Sequence, residues 1–358
     1  MSAALQPVPR ERGAPEPNQL KLPPPNAWYC VGRADTLKPG RLRSVDLNDD
    51  KVVIGRDDGG RLFALRDRCP HRGMALSKGR FADGEITCPF HGWRFRTDGA
   101  CAAIPALSES DRQDVGRIQV VRFPVTKAAG MVWVHVGGPP EVAPPVPELP
   151  FQPRGAIVVE LVVEASYDLT VLSLVDPAHV AFVHDSWWYR TSKELKEKVK
   201  RFEPTPFGFT MTSHRASGAS AVYRLLGGVP DVEIEFRLPG VRLERITIGE
   251  KRLANYTFAT PLSPKRTALT NVLAWNVPGL NLVKPLATPF ARQFLTQDKD
   301  VLEAAQLGID RKPTMVLLGQ ADLPSTWYFG LKREYLRALK EGTPFENPLS
   351  PQELRWRS

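Results

Sequence analysis

The sequence predicts an α+β chain in two parts, an all-β N-terminal domain and a larger C-terminal domain that mixes strands with helices. Three observations lead there. Between Trp28 and about Val136, short β-rich runs are separated by Gly and Asp turns. From Pro139 to Pro153, seven of fifteen residues are proline, which suits an extended connector better than a regular element. Beyond it, β-rich runs are interspersed with segments of helical spacing. With 358 residues, 42% of them hydrophobic, the chain can bury one large or two medium cores. The expected divisions are a disordered arm at 1–25, a first domain at 26–137, a linker at 138–153 and a second domain at 154–358.

The arm is rich in Pro and charge and has no apolar stretch, so it reads as disordered rather than as a signal peptide. In the first domain, residues 52–54, 62–65, 120–125 and 131–136 are expected strands, each β-rich and bounded by breakers. In the second, residues 157–163 read as a strand, and helical spacing begins at Leu169. Residues 219–226 and 231–238 are expected strands. Apolar residues at 294, 295, 301, 302 and 305 predict an amphipathic helix over 294–307, and 327–339 is expected to be a closing helix. The dense run from Lys193 to Arg201, in which Lys alternates with Glu, reads as a solvated helix face.

The chemistry lies in two short stretches, Cys69-Pro-His71-Arg-Gly and Cys88-Pro-Phe-His91-Gly-Trp, with sixteen residues between His71 and Cys88. Each pairs a thiolate with an imidazole. Two Cys and two His so arranged can hold one iron by sulfur and another by nitrogen, the ligand set of a Rieske [2Fe–2S] centre. Zinc also accepts two Cys and two His, but zinc fingers usually pair like with like and rarely leave one residue between ligands. Gly73, Gly79, Gly84 and Gly92 would let backbone amides approach the bridging sulfides, and Pro70 and Pro89 stiffen the loops. Cys30 and Cys101 remain as free thiols.

An electron carrier has no need of some 200 further residues. Those residues contain Asp176-Pro-Ala-His179-Val-Ala-Phe-Val-His184. Asp176 and His179, three apart, would share a helix face. His179 and His184 stand about 140° apart on a regular helix, so one metal takes both only if the helix bulges or breaks. Two histidines and a carboxylate form a facial triad that leaves positions open for O₂ on ferrous iron. The carboxylate must come from elsewhere. Asp298, Asp300 and Glu303 on the late helix are the candidates, although an Asp-Lys-Asp run more often solvates an outer face.

Together these residues resemble the Rieske non-haem iron oxygenases, over nearly the whole chain beyond the arm. Cys69, His71, Cys88 and His91 match the family's cluster pattern, and Asp176, His179 and His184 match its D-x₂-H-x₄-H pattern. Asp298, unlike Asp300, falls where the family's third iron ligand precedes a V-x-E-A-type helix. Asp-Pro-Ala-His and the tail from Trp327 to Tyr335 look most like the single-subunit branch, which includes pheophorbide a oxygenase-like proteins and vanillate- and dicamba-type demethylases. The resemblance implies a terminal oxygenase alpha subunit whose catalytic domain is an antiparallel sheet flanked by helices. It implies a homotrimer in which Asp176 bridges His91 of one chain to His179 of the next and electrons pass by that route. An NAD(P)H-dependent reductase, with or without a ferredoxin, would supply them for hydroxylation or oxidative demethylation. Relatives often carry Glu-Asn before the bridging Asp, where this chain has Leu172 and Ser173. Respiratory Rieske proteins add a disulfide at the cluster, whereas this chain has Met74, Phe90 and Trp93 at comparable places, which predicts a low potential. A carrier or redox sensor with a ligand-binding second domain is an alternative, and so is a desaturase or oxidative cyclase on the same machinery.

Trp187, Trp188, Phe209, Met211, Phe236 and Trp275 are the expected walls of a pocket for a mostly apolar, aromatic or polycyclic substrate, though such residues are more often plain core. Asn271 and Asn276 would add polar contacts. The formal charge of +9 is scattered, which argues against nucleic acid and suits docking of an acidic electron donor. No apolar run reaches transmembrane length, so a cytoplasmic protein is expected. His135 and His214 receive no role.

Overall fold

The computed structural model describes residues 23–108, 114–140, 142–184, 195–216, 221–311 and 315–358. The N-terminal part contains three small antiparallel sheets. β1 (Ala27–Arg33), β10 (Met131–Val136) and β9 (Val125–Ala128) form the first, in that order, and β2 (Leu42–Leu47), β3 (Asp50–Arg56) and β4 (Leu62–Arg66) form the second. β5 (Arg80–Ala82), β6 (Glu85–Thr87), β7 (Arg94–Arg96) and β8 (Cys101–Ala103) form the third.

The apolar runs of β3 and β4 are continuous rather than alternating because both faces of the second sheet are covered. Val52, Ile54 and Ala64 pack into the core that holds Tyr29, Val132 and Val134. Val53, Phe63 and Leu65 point the other way, into a core shared with Phe81, Ile86, Phe95 and the two cysteines Cys69 and Cys88. Each of these larger side chains contributes roughly 1.5–3 kcal/mol by leaving water. Gly55 lies opposite Phe63, and a Cβ there would come within 2.2 Å of the Phe63 ring. The β2–β3 hairpin turns on Asn48 and Asp49, both with positive φ (52° and 64°), as a two-residue loop of the mirror-image type requires.

In the C-terminal part, eight strands make one antiparallel sheet. Its order is β11 (Gly155–Val163), β17 (Arg266–Trp275), β16 (Lys251–Ser263), β15 (Val241–Ile248), β14 (Asp231–Arg237), β13 (Gly208–Arg215), β12 (Glu197–Thr205) and β18 (Gln352–Arg357). The helices are α1 (Tyr167–Val175), α2 (Val180–Val183), α3 (Ala221–Leu226), α4 (Leu280–Arg311) and α5 (Leu323–Glu341). One sheet face takes the helices. Leu295 of α4 packs on Ile157, Ile246 and Trp275, while Trp327 and Phe329 of α5 pack beside Phe202, Phe209 and Phe236. On the other face Val241, Leu243, Tyr256 and Phe258 meet Trp28, Met131 and Trp133 of the N-terminal part, and the Thr260 hydroxyl donates to the Cys30 carbonyl at 2.6 Å. The proline-rich connector has no strand or helix among its described residues and is tied down, since Tyr256 donates to the Pro147 carbonyl at 2.5 Å. α1 is held by a buried ion pair: Lys332 of α5 reaches Asp168 at 2.5 and 2.7 Å, with Tyr328 donating to the same carboxylate.

The two-part α+β architecture and most expected strands are present. Four expectations change. Residues 221–226 form helix α3, and 197–205 form strand β12 rather than a helix, so its alternating charges divide between two faces. Residues 120–124 contribute only an isolated bridge, Leu65 to Arg122, before β9 begins. α4 starts at Leu280, well before the expected 294, running through Pro285 and Pro289. Those prolines are four apart, so their two missing donors fall on one side of the helix, where the ladder opens without ending it.

Candidate active site and metal centres

Cys69 and His71 lie on the loop after β4, and Cys88 and His91 lie on the loop between β6 and β7. The two loops close in the same way. The Cys69 amide donates to the Met74 carbonyl at 2.8 Å and the Gly73 amide donates back to the Cys69 carbonyl at 2.8 Å. In the second loop the Cys88 amide donates to Trp93 at 2.8 Å and the Gly92 amide donates to Cys88 at 3.0 Å. Gly73 (φ 76°) and Gly92 (φ 73°) take the left-handed conformation that each closure needs. Gly79 and Gly84 do other work: a Cβ on Gly79 would strike the Thr87 carbonyl at 2.1 Å, and Gly84 turns the β5–β6 hairpin. Buried Asp67 anchors the first loop, accepting from the Ser77 amide at 2.7 Å and from the Ser44 and Ser77 hydroxyls at 2.6 Å each.

The thiols point inward and the imidazoles outward. Cys69 and Cys88 are buried and unbridged, and burial pushes the Cys69 thiol up to about 11. His71 is exposed, its ring centroid 4.5 Å from that of His91, and it stacks on Trp93 at 4.7 Å and 8°. Two buried thiols beside two outward imidazoles, on loops locked by their own backbones, fit a [2Fe–2S] cluster. Cys30 and Cys101 are buried free thiols, Cys30 on β1 and Cys101 on β8 in the same core as Cys69 and Cys88.

A second group assembles in the C-terminal part. His179 is the N-cap of α2 and His184 its C-cap, with α2 only one turn long. His184 leaves the helix at φ −94°, ψ 70°, the break that lets both rings face one point. Asp176 does not share a helix with His179. It caps the C-terminus of α1, its carboxylate accepting from the Ala178 amide at 2.7 Å. His179 Nδ1 donates to the Asp176 carbonyl at 2.9 Å, with the Asp176 carboxylate 3.6 Å away. His184 Nδ1 donates to Gln297 Oε1 at 3.2 Å, and its ring stacks on Phe294 at 3.7 Å. Both bonds put the imidazole lone pair on Nε2.

Those Nε2 atoms converge on Asp298 of α4, His184 at 3.4 Å and His179 at 3.6 Å, and the three ligand atoms lie within 4.8 Å of one another. Adjacent ligands about 2.1 Å from one metal stand roughly 3 Å apart, so the trio fits a single ion after a small contraction. Burial pushes Asp298 up to about 6, opposed by His179 and by Arg242 of β15, and burial pulls His184 down to about 4. Near neutral pH the carboxylate is therefore ionised and His184 neutral, the states that bind metal. Glu303, a competitor, instead pairs with Lys299 and accepts from the Glu164 amide.

Of the expected pocket residues, Phe209, Met211 and Phe236 lie on the helix-facing side but pack in the core with Phe202 and Trp327. Trp275 packs with Ile157 and Leu295, and Trp187 and Trp188 lie outside the described residues. Asn271 is buried and donates to Asn255, Thr257 and the Tyr256 carbonyl, whereas Asn276 bonds the backbone of Glu250 and Arg252 where β16 begins. Gln297 and Arg242 went unnoticed in the sequence. For Gln297 the signal was its place beside Asp298, but a strand arginine gives none.

Comparison with known proteins adds the domain families. Residues 27–124 match the Rieske [2Fe-2S] domain, and residues 163–323 match the vanillate O-demethylase oxygenase C-terminal domain. The chain is 33% identical over 185 residues to chlorophyllide a oxygenase of Chlamydomonas reinhardtii, covering 51% of this chain and 28% of that protein. It is 26% identical over 311 residues to 4beta-methylsterol monooxygenase of Methylococcus capsulatus, covering 80% and 82%. It spans less than half the length of several further curated relatives. The crystal structure of dicamba monooxygenase bound to dicamba superposes with a TM-score of 0.73 at 20% identity, covering 88% of this chain and 98% of that one, a likeness of fold. With both domain matches in order on one chain, and donor sets in each that suit a [2Fe–2S] cluster and mononuclear iron, the chain carries a Rieske [2Fe-2S] domain followed by an oxygenase C-terminal domain of the vanillate O-demethylase kind.

Proposed function

We propose that the protein is the terminal oxygenase component of a multicomponent system, hydroxylating or oxidatively demethylating an organic substrate with O₂. The convergence of His179, His184 and Asp298 on one point, in a chain that also carries the two cysteine–histidine loops, is the observation that supports this most. Cys69, Cys88, His71 and His91 would hold the cluster, and the triad would hold ferrous iron. When bound, these groups supply single-electron transfer and O₂ activation. The chain's own part is orientation and exclusion of water. Asp176 and Gln297 fix the ring angles of His179 and His184, and Phe294 covers the buried His184 ring.

The same reading extends to partners. Asp176 would bridge to His91 of a neighbouring copy in a homotrimer. The exposed aromatics Phe90 (56%), beside His91, and Phe182 (64%), between His179 and His184, favour a protein–protein contact at both places. An NAD(P)H-dependent reductase, with or without a ferredoxin, would deliver electrons. No described helix is long and apolar enough to cross a membrane, and a cytoplasmic location belongs to the proposal. The test is a single turnover of reduced protein with ¹⁸O₂ and a substrate panel, read by mass spectrometry. Label in a product, or formaldehyde release from a methyl donor, supports oxygenation. Reoxidation of both metal sites with every panel member unchanged contradicts it.

A further inference from the structure

The first turns of α4 are built the wrong way round for a surface helix. Leu280, Ala287 and Ala291 pack against the core of Ile157 and Trp275. At 100° per residue those three share one narrow side of the helix. The opposite side should carry charge and instead carries Leu282, Leu286 and Phe290 at four-residue steps, with Val283, Pro285 and Pro289 beside them. All six are exposed, Leu282 by 85% and Leu286 by 72%. Polar residues are confined to one flank, where Asn281, Lys284, Thr288 and Arg292 lie between the packed side and the apolar stripe. A single exposed leucine is ordinary, but a continuous apolar stripe turned away from the body marks a contact.

The charge around the stripe has one sign. Between Glu250 and Asp298 the sequence has no carboxylate, while Lys251, Arg252, Lys265, Arg266, Lys284 and Arg292 all fall in that stretch. The fold gathers more cations to the same place. A hollow beside α4 is lined by Lys284 together with Arg33, Arg56 and Lys127, and the carboxylate in its lining, Asp35, is paired with Arg33. Where α4 begins, a second hollow is lined by Arg154, Lys251 and Pro278, with Glu250 its carboxylate. The Asn281 side chain ties α4 to that hollow, donating to the Arg154 carbonyl at 2.9 Å. Leu226 lines the second hollow as well, and its neighbour Leu225, at the end of α3, is 87% exposed. An apolar ridge thus stands among cations, with a second apolar point close by.

We propose that this edge of the molecule docks on an anionic lipid surface, whatever reaction the metal sites perform. The α4 stripe and Leu225 enter the boundary between head groups and acyl chains, and the surrounding cations meet the lipid phosphates. Leu282 to Phe290 spans about 12 Å along the helix, enough to lie in that boundary and far too little to cross a bilayer. A second copy of the chain fits the surface less well. A self-complementary contact would set Lys284 and its neighbouring cations against a like-charged set, whereas phosphates neutralise them. Asp298 follows Phe290 by eight residues, about 12 Å further along α4, so docking brings the iron triad close to the lipid surface.

The experiment is flotation of the full-length holoprotein with vesicles of phosphatidylcholine alone and of an equal mixture of phosphatidylcholine and phosphatidylglycerol. The expected result is binding to the mixed vesicles about tenfold or more tighter than to the neutral ones, weakening as salt rises. Leu282→Gln combined with Leu286→Gln leaves every charge in place and should weaken binding about tenfold or more. Lys284→Gln should weaken binding about fivefold, and on the mixed vesicles only. All three side chains are exposed, and an unchanged circular dichroism spectrum checks that each variant folds. Absence of binding to either vesicle overturns the proposal, as does equal binding to both. Binding to mixed vesicles that the paired leucine substitutions leave unchanged also overturns it, since that is adsorption of a +9 chain by charge alone. An oligomer that sediments as such and dissociates in the leucine variant, with no vesicle binding by the unaltered protein, would make the stripe a contact between copies instead.

Discussion

The cluster loops and the iron triad bind metal by opposite constructions. Cys69, His71, Cys88 and His91 sit on two loops that close on themselves, each with two backbone hydrogen bonds and one left-handed glycine. Tertiary packing only has to bring two finished loops together. The triad has no such local frame. His184 and Gln297, which orient one another, are 113 residues apart, and the triad depends on α4 lying correctly along β11 and α1. The first site is written in backbone conformation and the second in side-chain packing. The first should therefore respond most to changes of the chain's own geometry, and the second to changes in distant partners.

Five substitutions test that contrast, in descending order of effect. Cys88→Ser removes a sulfur ligand, so the visible absorption and the reduced Rieske resonance should both vanish while C-terminal iron remains in metal analysis. His184→Ala should remove the mononuclear iron and leave the cluster's colour; unchanged total iron would end the assignment. Gln297→Leu keeps size but loses the acceptor for His184 Nδ1, and should weaken ferrous iron binding about 10–100-fold in a chelator competition. Gly73→Ala and Gly92→Ala each force a side chain to positive φ, costing roughly 1–2 kcal/mol in urea unfolding. The loss at Gly92 should be the larger, because its Cβ would meet Pro105 at 3.2 Å whereas Gly73 has nothing nearer than Arg68 at 3.7 Å. Equal losses would show that backbone strain outweighs crowding in these loops.

What could be read in advance follows the same division. The ligand loops were legible because every residue they need lies within 25 positions, in a spacing that has few other uses. The short α2 was legible as a break, because two histidines five apart cannot share a regular helix face. Asp298 was legible only through family resemblance, since an Asp-Lys-Asp run on a helix carries no mark of which carboxylate turns inward. The helix around it was underestimated because the apolar spacing that predicts it begins at Phe294, whereas the helix starts at Leu280 and runs through Pro285 and Pro289, which four apart open one side without ending it. The run from Lys193 to Arg201 was misjudged for a related reason. Alternating charge fits a solvated helix, but here it is the period of strand β12, and it turns Lys198 and Lys200 toward the helices. No local signal separates those cases, because the decision rests on pairing with β13 and β18. Arg242 had none at all: its proximity to Asp298 is a product of the whole sheet.

Whether one chain carries both metal centres is read out by electron paramagnetic resonance of the anaerobic, dithionite-reduced protein with nitric oxide. A Rieske signal accompanied by a high-spin ferrous-nitrosyl signal is the predicted result, with the nitrosyl signal alone lost in Asp298→Ala. A Rieske signal without any nitrosyl species, in iron-replete protein, would contradict it.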